Sequence, residues 1–159
     1  VDAALRLIEG DELKTGGIFF GMSEENMWRI LALPFVMIGS DASLRAPTGP
    51  LSHDHPHPRA YGTFAKFLRA SLDGLTVSLP EAIRKMTSLP ARQFNMPRRG
   101  LIREGCFADL TVFHPDVRDH ATYRNPHAPA TGFKAVFVNG CPVLEDDRLT
   151  GERGGRFLR

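Results

Sequence analysis

The sequence predicts an α/β chain: a parallel-sheet part comes first and an antiparallel, β-rich part forms the last third. Three observations lead there. The runs "GGIFFGM" (16–22) and "FVMIG" (35–39) are apolar without alternation, as strands covered on both faces are. The segment between them, "SEENMWRILALP", has helical spacing, which gives the strand–helix–strand order of a βαβ unit. Near the other end, "FKAVFVNGCPVLEDD" places two β-rich runs around Asn139-Gly140. Both residues accept positive φ, as the type I′ turn of a hairpin requires.

The remaining elements follow in chain order. Ala4, Leu5, Leu7 and Ile8 recur at helical spacing, and Gly10 ends a short first helix. Ser23 is an N-cap residue for the next helix. Glu24 and Glu25 lie in its first turn, where the helix dipole favours anions. Met27, Ile30 and Leu31 form its apolar face, and Pro34 stops it. The stretch 42–59 is long for a loop in a compact domain, and loops of that length are usually functional or disordered. In "YGTFAKFLRASLDG", Phe64, Phe67, Leu68 and Leu72 share one helix face. A further helix opens at Ser78 or Pro80 and carries Ile83, Met86 and Leu89 on its core side. From Arg99 onward the pattern becomes short strands bounded by glycine, with Leu110, Val112 and Phe113 apolar.

Composition narrows the function classes. At 159 residues the chain can bury a sizeable core, and 42% hydrophobic with 24% charged residues fits a soluble globular protein. The formal charge is only +2, and basic residues alternate with acids, so no phosphate-tracking stripe exists and no nucleic-acid partner is expected. No apolar run approaches about 18 residues, so no membrane span is expected. The N-terminal stretch has neither the basic nor the apolar region of a signal peptide. It begins at Val1, as a chain cut from a longer one would. Cys106 and Cys141 are too few for a disulfide framework or a zinc cluster and read as small buried residues. Reduced thiols fit a cytoplasmic location.

Candidate chemistry concentrates between 40 and 61. Asp41 ends the run "FVMIGSD", and ligands of parallel α/β folds bind at the carboxyl ends of strands. A carboxylate there serves as a general base or a metal ligand, or else caps the following turn. The eye-catching "HDHPH" (53–57) is a weaker metal candidate. In an extended segment His53, His55 and His57 would be spaced roughly 6–7 Å apart along one side, too far for all three to reach one ion easily. Pro56 and Pro58 further limit how the segment can curl. Arg59 stands where loop becomes helix and either clamps a substrate carboxylate through its fork of donors or is simply solvated. Ser40 and Tyr61 offer polar handles nearby without a specific pattern. The 114–127 region has no ligand-like spacing and reads as surface.

Together, "GSD", "HPRAYGTF", "KMTSLPA" and "GCFADLTVF" resemble the carboxyl-terminal part of the N-acyl-D-amino-acid deacylases (D-aminoacylases) of the amidohydrolase superfamily. The resemblance covers nearly the whole chain, and "HPRAYGTF" with "KMTSLPA" is its narrowest part. It implies a (β/α)₈ metal-dependent hydrolase barrel joined to a small β-sandwich. Residues 1–97 would form the last barrel units, with "GIFFGM" and "FVMIGSD" as final strands, and 98–159 part of the sandwich. It further implies a zinc-activated water attacking the amide of an N-acyl-D-amino acid. Asp41 matches the family's general base; no metal ligand is expected in this chain, save that the Asp41 carboxylate could serve as one. Arg59 matches the residue that binds the substrate carboxylate, with His57 and Ser40 as further substrate-binding candidates. The zinc ligands would lie upstream of Val1, so the remainder of the barrel is an expected partner and the isolated chain is expected to be inactive. Two departures touch the pocket: Ala42 stands where the family has Gly, and the loop from Asp41 to His57 is longer. A dihydropyrimidinase-type amidohydrolase and a non-catalytic structural fragment are the alternatives.

Overall fold

A computed structural model describes residues 1–159 except 18, 47 and 159. The order is α1 (Asp2–Gly10), α2 (Glu24–Ala32), a 3₁₀ turn (Pro50–Ser52), α3 (Arg59–Leu72), α4 (Leu79–Met86), α5 (Ser88–Gln93), β1 (Leu110–Arg118), β2 (Thr131–Val138), β3 (Cys141–Glu145) and β4 (Arg148–Leu149). The four strands form one antiparallel sheet in the order β1-β2-β3-β4.

The hydrogen-bonding residues explain these boundaries. The Ser23 hydroxyl accepts from the Asn26 N–H at 3.3 Å, capping α2 as the sequence predicts. The β2–β3 turn has φ +52° at Asn139 and +81° at Gly140, the double positive φ expected of this hairpin. Asp146 and Asp147 make a second such turn between β3 and β4, with φ +46° and +60°. The Asp147 carboxylate then accepts from the Gly132 and Phe133 amides at 3.0 and 2.7 Å, tying the turn to the start of β2.

α3 is the central pillar. One side carries Phe67, which packs with Ile38, Ala82, Trp28 and Met86. The other carries Ala65 and Leu68, which pack on Val117, Phe113 and Phe133 of the sheet. This divides the helix face differently from the sequence reading: Phe64 is 47% exposed. The long helix expected from Ser78 is two helices. Pro90 has no N–H to give the Met86 carbonyl, and its ring would crowd that carbonyl, so the chain breaks at Thr87 (φ −130°, ψ −84°). The Thr87 hydroxyl bonds back to the Ile83 carbonyl at 2.7 Å. Cys106 and Cys141 are free and half-buried rather than buried.

The expected parallel strands are absent among the described residues. Residues 17 and 19–22 belong to no regular element, and Ile18 of that run lies outside the described residues. Residues 36–40 likewise belong to no regular element and pair with no strand among the described residues. A strand exists only where a neighbour takes its N–H and C=O groups, and no described segment lies alongside as one. The Ile38 amide goes to the Lys85 carbonyl at 3.3 Å instead.

Lys85 is the device that holds 33–38 in place. Its side chain is fully buried, and its ammonium donates to the Leu33 and Val36 carbonyls, the latter at 2.9 Å. Arg84 beside it donates to the Pro34 carbonyl while pairing with Glu81 at 2.7 Å. Burial pushes the Lys85 ammonium below its usual range, opposed by the Glu81 charge. Lys85→Met keeps the stem but leaves two loop carbonyls without their donor. It is expected to cost about 2–4 kcal/mol, read as a shift in the urea midpoint with the slope unchanged.

Candidate functional site

α4 holds 33–38, and that anchored segment delivers the chain to Gly39-Ser40-Asp41. At Asp41 φ is +50°, a left-handed conformation that Asp tolerates because its short side chain can bond locally. From there the loop 42–58 returns to the start of α3, which brings Arg59 back to Asp41.

The two predicted residues meet. The Arg59 guanidinium lies 2.8 Å from the Asp41 carboxylate, and the Arg59 Nε–H donates to the Asp41 carbonyl at 3.1 Å. The Asp41 side chain is 89% exposed and that of Arg59 45%, so the pair is worth about 0–1 kcal/mol and is easily opened. Asp41, Ala42, Ser43, Arg45, Pro56, His57, Arg59 and Ala60 line a cleft of about 140 Å³. Arg45 crosses the loop to pair with Asp54 at 2.8 Å. A larger hollow of about 420 Å³ beside α5, lined by Ser88, Arg92, Asn95 and Arg99 among others, contains no carboxylate, imidazole or thiol and offers no acid–base chemistry.

His57 is built into the start of α3. Its Nδ1 accepts the Arg59 backbone N–H at 3.1 Å, so that nitrogen is unprotonated. The neutral ring therefore carries its proton on Nε2, which donates to the Tyr123 hydroxyl at 3.2 Å. Burial, and then the Arg59 charge, hold the His57 pKa below its ordinary 6.5. A histidine with a depressed folded pKa contributes stability that is full above 6.5 and is lost as pH falls through the folded value. The expected result is a His57 ring-proton NMR titration with its midpoint below 6.5. A midpoint above that value would mean that Nδ1 does not accept the Arg59 amide.

The other sequence candidates distribute unevenly. Ser40 is half-buried and does not line the cleft. Tyr61 turns away toward His127, whose ring it meets edge-on at 5.6 Å; the Tyr61 hydroxyl and His127 Nε2 are both buried with no hydrogen-bond partner among the described residues. The histidine loop forms no ligand set: among the described residues no three or more His, Cys, Asp or Glu side chains are grouped to hold a metal. His55 Nε2 bonds instead to the Tyr123 carbonyl at 2.7 Å. The region 114–127 is thus not simply surface. Tyr123 and His127 come back onto the loop and α3, and no local pattern signals this, since Tyr123 lies 66 residues from His57.

The chain is similar to several known proteins. Residues 36–144 match the model of the Amidohydrolase family. A D-aminoacylase of Alcaligenes xylosoxydans xylosoxydans is 42% identical over 146 residues, 90% of this chain and 28% of that protein. A crystal structure of D-aminoacylase aligns with a TM-score of 0.77 at 42% identity, covering 89% of this chain and 29% of the other. The N-acyl-D-glutamate deacylase from Bordetella bronchiseptica, solved with zinc and a phosphonate mimic of the tetrahedral intermediate, aligns with a TM-score of 0.68 at 38% identity. That match covers 77% of this chain and 25% of the deacylase. The chain therefore spans under a third of the length of the relatives it matches. A family match that runs through the anchored segment, the Asp41–Arg59 cleft, α3 and most of the sheet makes this chain a member of the amidohydrolase family.

Proposed function

We propose that the enzyme carrying this chain hydrolyses N-acyl-D-amino acids to a carboxylate and a free D-amino acid. The observation that supports this most is the meeting of Asp41 and Arg59 in one cleft at the two ends of a long loop. A carboxylate that can take and return a proton stands beside a guanidinium that can hold a carboxylate. Those are the two demands of cleaving the amide of an N-acylated amino acid. The relatives' names, D-aminoacylase and N-acyl-D-glutamate deacylase, indicate the substrate class.

In this reading Asp41 accepts a proton from the attacking water and delivers it to the departing nitrogen. Arg59 lets go of Asp41 to bind the α-carboxylate, and His57, which lines the cleft, borders the bound substrate; Ser40 stands outside the cleft lining and is given no part. Residues 1–97 correspond to the last units of a (β/α)₈ barrel and 98–159 to part of a small β-sandwich.

Zinc enters through the deacylase solved with it. A catalytic zinc takes about three protein ligands, and the described residues supply no such group. Asp41 alone could contribute, so the zinc site would have to be completed by other parts of the enzyme. The test uses the full-length, zinc-loaded enzyme and a panel of N-acetyl-D- and N-acetyl-L-amino acids. Acetate release from the D series, and little from the L series, is expected. No release from any N-acyl-D-amino acid would refute the reading.

A further inference from the structure

We propose that Tyr123, on the connection between β1 and β2, is a positioning residue for the Asp41–Arg59 pair, acting through His57. The proposal rests on the deacylase reading for its kinetic consequence, and on geometry alone for its structural one.

Tyr123 grips the histidine loop at several points. Its hydroxyl meets His57 Nε2 at 3.2 Å, and its carbonyl meets His55 Nε2 at 2.7 Å. Its ring stands edge-on to His57 at 5.2 Å and to Phe20 at 5.1 Å. Past His57 the connection continues without a gap. Nδ1 accepts the Arg59 amide at 3.1 Å, and the Arg59 side chain then bonds both the carbonyl and the carboxylate of Asp41. One chain of hydrogen bonds thus runs from Tyr123 through the imidazole to the residue that opens α3, and on to the carboxylate.

Its direction follows from the chemistry of each link. Arg59 N–H can only donate, so Nδ1 must accept, so Nε2 must donate, so the Tyr123 oxygen must accept. Removing that oxygen frees the ring to turn about its side-chain bonds, and the acceptor of the Arg59 amide goes with it. Pro58, the residue that precedes α3, cannot substitute, because its side chain has no acceptor to offer the Arg59 amide. Asp41 and Arg59 are too exposed to hold each other in register by their own attraction. A support from outside the loop is therefore what this arrangement needs, and Tyr123 supplies it from the β-rich part of the chain.

The test uses the full-length enzyme. Tyr123→Phe keeps both ring contacts and removes only the hydroxyl. It should raise KM for an N-acetyl-D-amino acid about three- to tenfold, the worth of one hydrogen bond, with kcat within about twofold. His57→Asn places its amide oxygen near the position of Nδ1, keeping the Arg59 acceptor but losing the reach to Tyr123. In that background Tyr123→Phe should change nothing further, whereas a merely structural tyrosine would add its full effect. Hydrogen–deuterium exchange gives a readout independent of turnover: Tyr123→Phe should speed exchange of the peptide covering 53–62 and leave α4 and the sheet unchanged. Additive kinetic effects, or unaltered exchange at 53–62, would overturn the proposal. If the wild-type enzyme turns over no N-acyl-D-amino acid, the deacylase reading falls, and the exchange experiment still decides the role of Tyr123.

Discussion

Asp41→Asn in the full-length enzyme is expected to cut kcat by about 10²–10⁴-fold, the range for loss of a general base. The substitution isolates the proton-transfer role unusually well. Asn has the same shape and tolerates the left-handed φ of +50° that this position adopts. The exposed ion pair lost with the charge is worth little, so the thermal midpoint should hardly move. KM should change much less than kcat, because the missing proton acceptor matters in the transition state and not in the bound ground state. Zinc content measured on the same preparation separates two roles for the carboxylate. Full zinc with lost turnover supports a base; zinc lost in step with turnover makes Asp41 a ligand. Undiminished turnover would sink both.

How much of this site could be read in the sequence depended on the range of the interactions involved. Ser23, Asn139-Gly140 and the helix containing Phe67 and Leu68 are legible because a cap, a turn and an amphipathic face are local facts. The break at Thr87 was equally local, in the missing N–H of Pro90, yet the continuous apolar spacing of Ile83, Met86 and Leu89 concealed it. The turn at Asp146-Asp147 has no glycine to advertise it and is fixed instead by the amides of Gly132 and Phe133, about fifteen residues away. The apolar runs at 17–22 and 35–39 show the reverse failure. Their composition suits a buried strand, but pairing is a property of neighbours, and the described residues give them none. Lys85 and Tyr123 were invisible for the same reason: a lysine in a helix and a tyrosine in a connection acquire meaning only when Leu33, Val36 and His57 arrive beside them.

Arg59→Ala is expected to raise KM for N-acyl-D-amino acids about 10- to 150-fold with kcat within a few-fold, the loss of a charge-assisted bidentate contact of about 1.5–3 kcal/mol. The Arg59 guanidinium is engaged by Asp41 at 2.8 Å, so in the proposed role substrate binding would exchange one carboxylate partner for another. That exchange costs little because the existing pair is exposed, and it leaves the Asp41 carboxylate unpaired when a proton must be taken. Two comparisons make the result specific. Arg59→Lys keeps the charge without the planar fork and should recover only part of the affinity. An N-acetyl-D-amino acid amide, which has no α-carboxylate, should bind wild type and Arg59→Ala about equally poorly. A cyclic-amide substrate, as a dihydropyrimidinase-type enzyme would use, brings no such carboxylate and should be indifferent to Arg59. If Arg59→Ala instead lowers kcat as severely as Asp41→Asn does, the arginine is serving the carboxylate beside it and not the substrate, and the division of labour between the two ends of the loop is wrong.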